Sequence, residues 1–147
     1  MTILPDTLQF LCDLSENNNR DWFLANKARY EAAHQNMLQF AGEVEKALGA
    51  TDVLEGSKVF RIYRDVRFSK DKSPYKNNFG TGFTRATKLR RGSYYLHIEP
   101  GASFAGGGFW QPEPHDLKRI RDEFARDDRP IRQIMAHPDF IRYFGNF

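Results

Sequence analysis

Cysteine is nearly absent: Cys12 stands alone among 147 residues, so no intramolecular disulfide can form. A reducing cytoplasm is therefore the expected compartment. No uninterrupted apolar run approaches the ~20 residues that a membrane-spanning helix needs, and no membrane partner is expected. Nor is a secretory leader expected, because Pro5 and Asp6 interrupt the early apolar stretch and the first basic residue is Arg20. Internal repeats and low-complexity linkers are missing too. What the chain has in quantity is aromatic: 13 Phe, 6 Tyr and 2 Trp. A solvated chain without a core does not carry so many. The length suits one soluble domain, burying roughly 70% of the surface its unfolded chain exposes.

Charge is unevenly spread. Residues 58–91 hold eleven lysines and arginines, Lys88, Arg90 and Arg91 among them, against only Asp65 and Asp71, which gives +9. The remainder has eleven basic and seventeen acidic residues, or −6, and the two parts make the net +3. A basic segment in an acidic background sets up a local positive field that attracts phosphates or carboxylates. A solvated basic loop paired with acidic helices is the plainer alternative.

Apolar spacing divides the chain into helical and extended parts. Asp6 is a plausible N-cap for a first helix with Leu8, Leu11 and Cys12 on one face. Asn17-Asn18-Asn19 breaks it, and Asn19 can cap a second helix from Arg20. In that helix Phe23, Tyr30, Ala33, Met37, Phe40, Val44 and Leu48 form one apolar stripe, closed by Gly49. Strands follow at Val59–Arg64, Phe79–Thr84, Tyr94–Glu99 and Ser103–Phe109. The long polar loop 65–78 contains Pro74, and tight turns occur at Arg90-Arg91-Gly92 and Pro100-Gly101. Short connections favour antiparallel pairing. Pro112 and Pro114 introduce a helix with Leu117, Ile120 and Phe124 on one face, and Pro130 opens another that ends near His137-Pro138. The expected fold is one α+β domain over 1–147: a short antiparallel sheet of three to four strands flanked by N-terminal and C-terminal helices. Phe140, Ile141, Tyr143, Phe144 and Phe147 form an apolar tail that must dock to stay soluble, or belongs to a longer chain.

Three stretches together resemble a known family. They are Asn17-Asn18-Asn19-Arg20-Asp21-Trp22-Phe23, the segment Phe60-Arg61-Ile62-Tyr63-Arg64-Asp65-Val66-Arg67-Phe68-Ser69-Lys70-Asp71-Lys72-Ser73-Pro74-Tyr75-Lys76, and Tyr94-Tyr95-Leu96-His97-Ile98-Glu99-Pro100-Gly101 running on to Gly106-Gly107-Gly108-Phe109-Trp110. In that order they are similar to domain-of-unknown-function family 2461, across nearly the whole chain. The resemblance implies no activity or ligand. Members usually continue beyond the length seen here, so a C-terminal segment is expected to be missing.

Candidate chemistry concentrates in two places. Arg61, Arg64 and Arg67 recur every third residue, and Lys70, Lys72 and Lys76 follow in the loop. Guanidinium groups suit bidentate recognition of phosphate or carboxylate, whereas lysines act as point charges. The leading expectation is a domain that binds an anionic, phosphorylated small molecule through residues 60–76, with Asp65 and Asp71 orienting the arginines. Those two aspartates could instead serve a purely structural ion-pair cluster. On the strand Tyr94–Glu99, alternation sends Tyr94, Leu96 and Ile98 to one face and Tyr95, His97 and Glu99 to the other. His97 and Glu99 can form an acid–base couple or, with Asp65 as a further ligand, a metal site for a hydrolase acting on a phosphorylated or nucleic-acid substrate. No cofactor can be assigned, and whether the chain is an enzyme stays open.

Weaker signals were weighed beside these. Phe60, Tyr63, Phe68, Tyr75, Phe79 and Phe83 interleave the basic segment, as in proteins that hold single-stranded nucleic acid. No RNP-type sequence accompanies them, and nucleic acid ranks below a small anion. Gly106-Gly107-Gly108 has no Walker context and reads as a bulged strand or turn, as does Gly80-x-Gly82. Ser69-x-x-Lys72 lacks the helix and partner motifs of a serine acyl-transfer site. Cys12 reads as a buried thiol, and His34, His115 and His137 lack metal spacing. A structural or partner-binding module without a small ligand is the other class. It would expose an apolar patch around the C-terminal aromatics and form an oligomer or hold a partner.

Overall fold

The computed structural model describes residues 2–86 and 91–146. Lys88, Arg90 and Phe147, named above, lie outside the described residues. Among the described residues, six helices and a four-stranded antiparallel sheet make an α+β fold: α1 (Pro5–Glu16), α2 (Arg20–Ala25), α3 (Lys27–Leu48), β1 (Leu54–Val59), β2 (Phe79–Arg85), β3 (Ser93–Ile98), β4 (Phe104–Gly108), α4 (Pro114–Arg126), α5 (Arg129–Met135) and α6 (Pro138–Phe144). The chain forms two compact units, the first ending at Phe109 and the second beginning at Trp110.

In the first unit the strands pair in the order β1-β2-β3-β4. One sheet face carries Phe79, Thr81 and Phe83 of β2, all buried, with Ile98 of β3. Helix α3 packs on β1 and β2, and α1 packs on α3. Phe10, Leu11, Leu14, Phe23, Met37, Ile62, Tyr75 and Phe79 form the core between these layers. Buried Asn36 holds the chain start to α3: its Oδ1 accepts from Leu4 N and Thr7 Oγ1, both at 2.9 Å. Both bonds satisfy polar groups that burial would otherwise strand.

Local chemistry moved several expected boundaries. Helix α1 starts at Pro5, with Leu4 at the N-cap, so Asp6 sits in the first turn instead of capping it. Proline fits there because its missing N–H would have had no intrahelical partner. Its buried face is Thr7, Phe10, Leu11 and Leu14, which leaves Cys12 half-buried. Asn19 does cap α2, its side chain accepting from Trp22 N. The long second helix is broken at Asn26, whose Nδ2 donates to Trp22 O at 2.9 Å and competes with the backbone ladder.

The strand expected over Val59–Arg64 is a correction. β1 ends at Val59, and although Phe60 N still donates to Gly80 O, the chain then leaves the sheet. Residues 61–64 pair with 74–76 through a Tyr63–Tyr75 bridge, with Arg64 N on Pro74 O and Lys76 N on Ile62 O. Packing against α2 drives this departure. Tyr75 stacks on Phe23 at 4.0 Å between ring centroids, and Tyr63 meets the same ring at 5.8 Å. The apolar tail forms helix α6, which the sequence reading did not expect.

The candidate site at one end of the sheet

β1 and β3 finish, and β2 and β4 begin, at the same end of the sheet. Phe60–Arg61, Lys76–Asn77, His97–Glu99 and Phe104 therefore gather there. The three motifs meet at this end. Asn18 holds Tyr75 by both main-chain groups, donating from Nδ2 to its O at 3.0 Å and accepting from its N at 3.1 Å. Two residues on, Asn77 Nδ2 donates to Glu99 Oε1 at 2.6 Å. Sequence alone gave no signal for either bond, because each joins residues far apart in the chain.

Glu99 also meets His97: Nε2 lies 2.8 Å from Oε2, and on the other ring nitrogen Nδ1 lies 3.2 Å from the Tyr95 hydroxyl. An ionised carboxylate only accepts, so a proton on Nε2 makes that contact a hydrogen bond, and in that tautomer Nδ1 can accept from the Tyr95 hydroxyl. Tyr95, His97, Glu99 and Asn77 thus form one continuous hydrogen-bonded relay. Burial holds the Tyr95 phenol above its usual titration range, which keeps it a proton donor. Tyr95 and Asn77 are members that the sequence reading did not single out.

The relay lies on the sheet face opposite the helical layer. Register places Gly80 opposite His97, Gly82 opposite Tyr95, and Phe104 opposite His97. A Cβ at Gly80 would stand 2.6 Å from the Tyr95 hydroxyl, and one at Gly82 would stand 3.2 Å from the Phe60 ring. The two glycines let these rings lie down over β2, which pairs regularly through both instead of forming the bulged strand or turn read from the sequence. Phe104 stacks on His97 at 4.8 Å and flanks Tyr95 at 5.8 Å.

The six expected basic contacts separate into two groups. Arg64 pairs with Asp71, and Arg67 pairs with Asp65 at 2.6 Å, so these two mainly shape the loop. Lys72 Nζ donates to Val66 O, and Lys76 Nζ to Arg61 O at 3.1 Å. Among the described residues, Arg61, Lys70, Lys72 and Lys76 form no salt bridge, although the charge of Arg61 is felt at Asp65. Burial, and then the charge of Arg61, lower the Lys76 pKa. Asp65 is held below the usual carboxylate range chiefly by Arg67, and Asp71 chiefly by Ser73 and then Arg64. Among the described residues no three His, Cys, Asp or Glu side chains converge to hold a metal. Asp65 thus does not join His97 and Glu99 in the expected three-ligand site, because Arg67 engages both of its oxygens.

Away from this end, Asp52 braces the sheet. Its side chain, 7% exposed, pairs with Arg85 of β2 and accepts from the Tyr94 hydroxyl at 2.9 Å. Arg85 is the main cause of a carboxyl held well below its usual range. A depressed folded pKa contributes stability that is fully present above the unfolded value of about 3.9. That contribution is lost as pH falls through the folded value. Denaturation midpoints measured from about pH 4 to pH 2 should therefore drop less steeply in Asp52→Asn than in the parent, from a lower starting stability. Parallel slopes would remove Asp52 from the acid response.

The second unit presents different chemistry. Phe124, Ile131, Met135 and Ile141 line an open groove of about 620 Å³. Ile134, Tyr143 and Phe144 are each more than half exposed, as a partner-binding module would require. No helix among the described residues is long and apolar enough to cross a membrane.

Fold and site together define an α+β protein whose sheet end, in the first unit, combines aromatic rings, a polar relay and cations that form no salt bridge among the described residues. The chain belongs to the family described as Conserved hypothetical protein (DUF2461), whose model matches residues 6–147. No curated protein and no solved structure matches it significantly.

Proposed function

We propose that the chain is a cytoplasmic domain that binds a phosphate-bearing ligand at this end of the sheet. Arg61 and Lys76 are the direct cation contacts, and Lys70 and Lys72 extend the positive field. The observation that carries this reading is the Arg61–Lys76 neighbourhood: Lys76 Nζ donates to Arg61 O, the Arg61 charge is felt at Lys76, and neither side chain forms a salt bridge among the described residues, although the Arg61 charge also reaches Asp65. A bound anion relieves their mutual repulsion and the desolvation of the lysine, so binding energy is available there. Arg64 and Arg67 act indirectly, fixing the loop through Asp71 and Asp65. Calorimetric titration with pyrophosphate tests the reading. Arg61→Ala and Lys76→Ala should each weaken binding about tenfold, which is the scale of one charge-assisted hydrogen bond. Absence of binding by the parent chain, or unchanged affinity in both variants, would sink it.

A second reading has an observation of its own. The ordered relay from Asn77 to Tyr95 can move a proton between His97 and a bound ligand, with Glu99 stabilising the imidazolium. That makes an acid–base enzyme of the same site. Turnover of a phosphoester probe that survives His97→Asn would dispose of it.

A further inference from the structure

We propose that this sheet end holds a single-stranded nucleic acid, with bases stacked on Phe60, Tyr95 and Phe104 and phosphates on Lys58, Arg61 and Lys76. The inference rests on the anion reading above and names its ligand class. Three aromatic side chains stand on one face: Phe60 and Tyr95 are 6.4 Å apart between centroids, and Tyr95 and Phe104 are 5.8 Å apart. Phe60 is 38% and Phe104 54% exposed, a large apolar outlay for a surface that carries no helix of its own unit. The flat posture imposed by Gly80 and Gly82 suits ring-on-base stacking. A Cβ at Gly106, opposite Tyr95, would meet nothing within 4 Å, so space is open beside that ring.

Charge makes the nucleic acid the better occupant. Residues 58–76 carry seven basic and two acidic residues, and the two acids are engaged by Arg67 and Arg64. Register with Gly82 puts Lys58 on the same face as Phe60. Farther along the loop Phe68 is 96% exposed, with the Arg67 guanidinium 6.0 Å from its ring. Aromatic rings and cations thus continue beyond the reach of one mononucleotide. The surface is also open, whereas small ligands need walls that bury most of their area. A duplex keeps its bases stacked on one another and cannot offer them to these rings. Asn77 and His97 donate to the two Glu99 oxygens, which turns the carboxylate toward the relay but leaves its charge in place.

Fluorescence anisotropy separates the contributions. The probes are a labelled oligothymidylate of about twelve nucleotides, an abasic deoxyribose-phosphate strand of equal length, and a duplex of the same size. The base-bearing strand should bind about tenfold tighter than the abasic one. Phe104→Ala and Phe60→Leu should each erode that ratio while leaving abasic binding unchanged. Phe104 is exposed enough for the first variant to fold, and leucine keeps the apolar volume in the second. Arg61→Ala combined with Lys76→Ala should weaken both strands and reduce the slope of log affinity against log salt by about 1.4. Equal binding of base-bearing and abasic strands, or of strand and duplex, overturns the stacking inference and leaves the anion reading standing. No binding of any probe overturns the nucleic-acid inference, and the pyrophosphate titration then decides the anion reading separately. Tight base-bearing binding that ignores salt and the two cations overturns the anion reading and the phosphate contacts proposed here, leaving only the stacking.

Discussion

Replacing Phe23 by alanine is expected to remove about 3–5 kcal/mol of stability, the usual cost of emptying a core phenylalanine site. Phe23 is 2% exposed and lies at the centre of an aromatic cluster. It stacks on Tyr75 at 4.0 Å with an interplanar angle of 13°, and it meets Tyr30 at 5.1 Å and Tyr63 at 5.8 Å. Tyr63 and Tyr75 are the two residues that bridge the basic loop, so the loss should be felt there first. Urea denaturation reads the total. Hydrogen exchange at Arg64 and Lys76 amides reads the local part, because each donates across the bridge. Phe23→Leu should recover most of the stability, with the stacking contribution of roughly 0.5–1.5 kcal/mol still missing. If exchange at those two amides stays unchanged in Phe23→Ala, Phe23 does not hold the loop, whatever the global loss.

The same cluster explains which parts of the fold were legible in the sequence. Strands β2, β3 and β4 and the apolar stripe of α3 follow from alternation and helical spacing, which are local signals. The departure of residues 60–64 from the sheet is not local. Val59 to Arg64 has the composition of a strand, but leaving the sheet buries Ile62 and Tyr75 in the core, with Tyr75 stacked on Phe23 of α2, while Tyr63 stays 46% exposed. Asn26 illustrates a smaller failure, since the stripe runs on through a break made by one side-chain amide. At the site, His97 and Glu99 were readable because they sit two apart on a strand. Asn77 and the opposing glycines were not, because register across β2 and β3 is a long-range property. Charge counting found the basic segment but could not separate Arg64 and Arg67, which are engaged by aspartates, from Arg61 and Lys76, which are not.

That dependence on register makes Gly80→Ala the sharpest single change at the site. The added methyl would start 2.6 Å from the Tyr95 hydroxyl, too close for it to stay, and 3.2 Å from the Phe60 ring, which needs to give by a few tenths of an ångström. Tyr95 must swing away, and in doing so it releases His97 Nδ1 from its 3.2 Å contact. The expected cost is about 1–3 kcal/mol, the range for overpacking, because the displaced groups are side-chain ends and not backbone. The local effect is larger than the global one. The central one of the three stacking rings changes posture, its neighbour Phe60 yields slightly, and the relay ends at His97. Tyr95→Phe separates these consequences, since it removes the hydroxyl and leaves the ring lying over β2. Imidazole nitrogen shifts measured by NMR should change alike in both variants, because both take the same partner from Nδ1. Probe affinity should fall in Gly80→Ala and hold in Tyr95→Phe if the rings carry binding. An imidazole spectrum unmoved by Gly80→Ala would mean that Tyr95 keeps its place, and the account of glycine at position 80 would have to be abandoned.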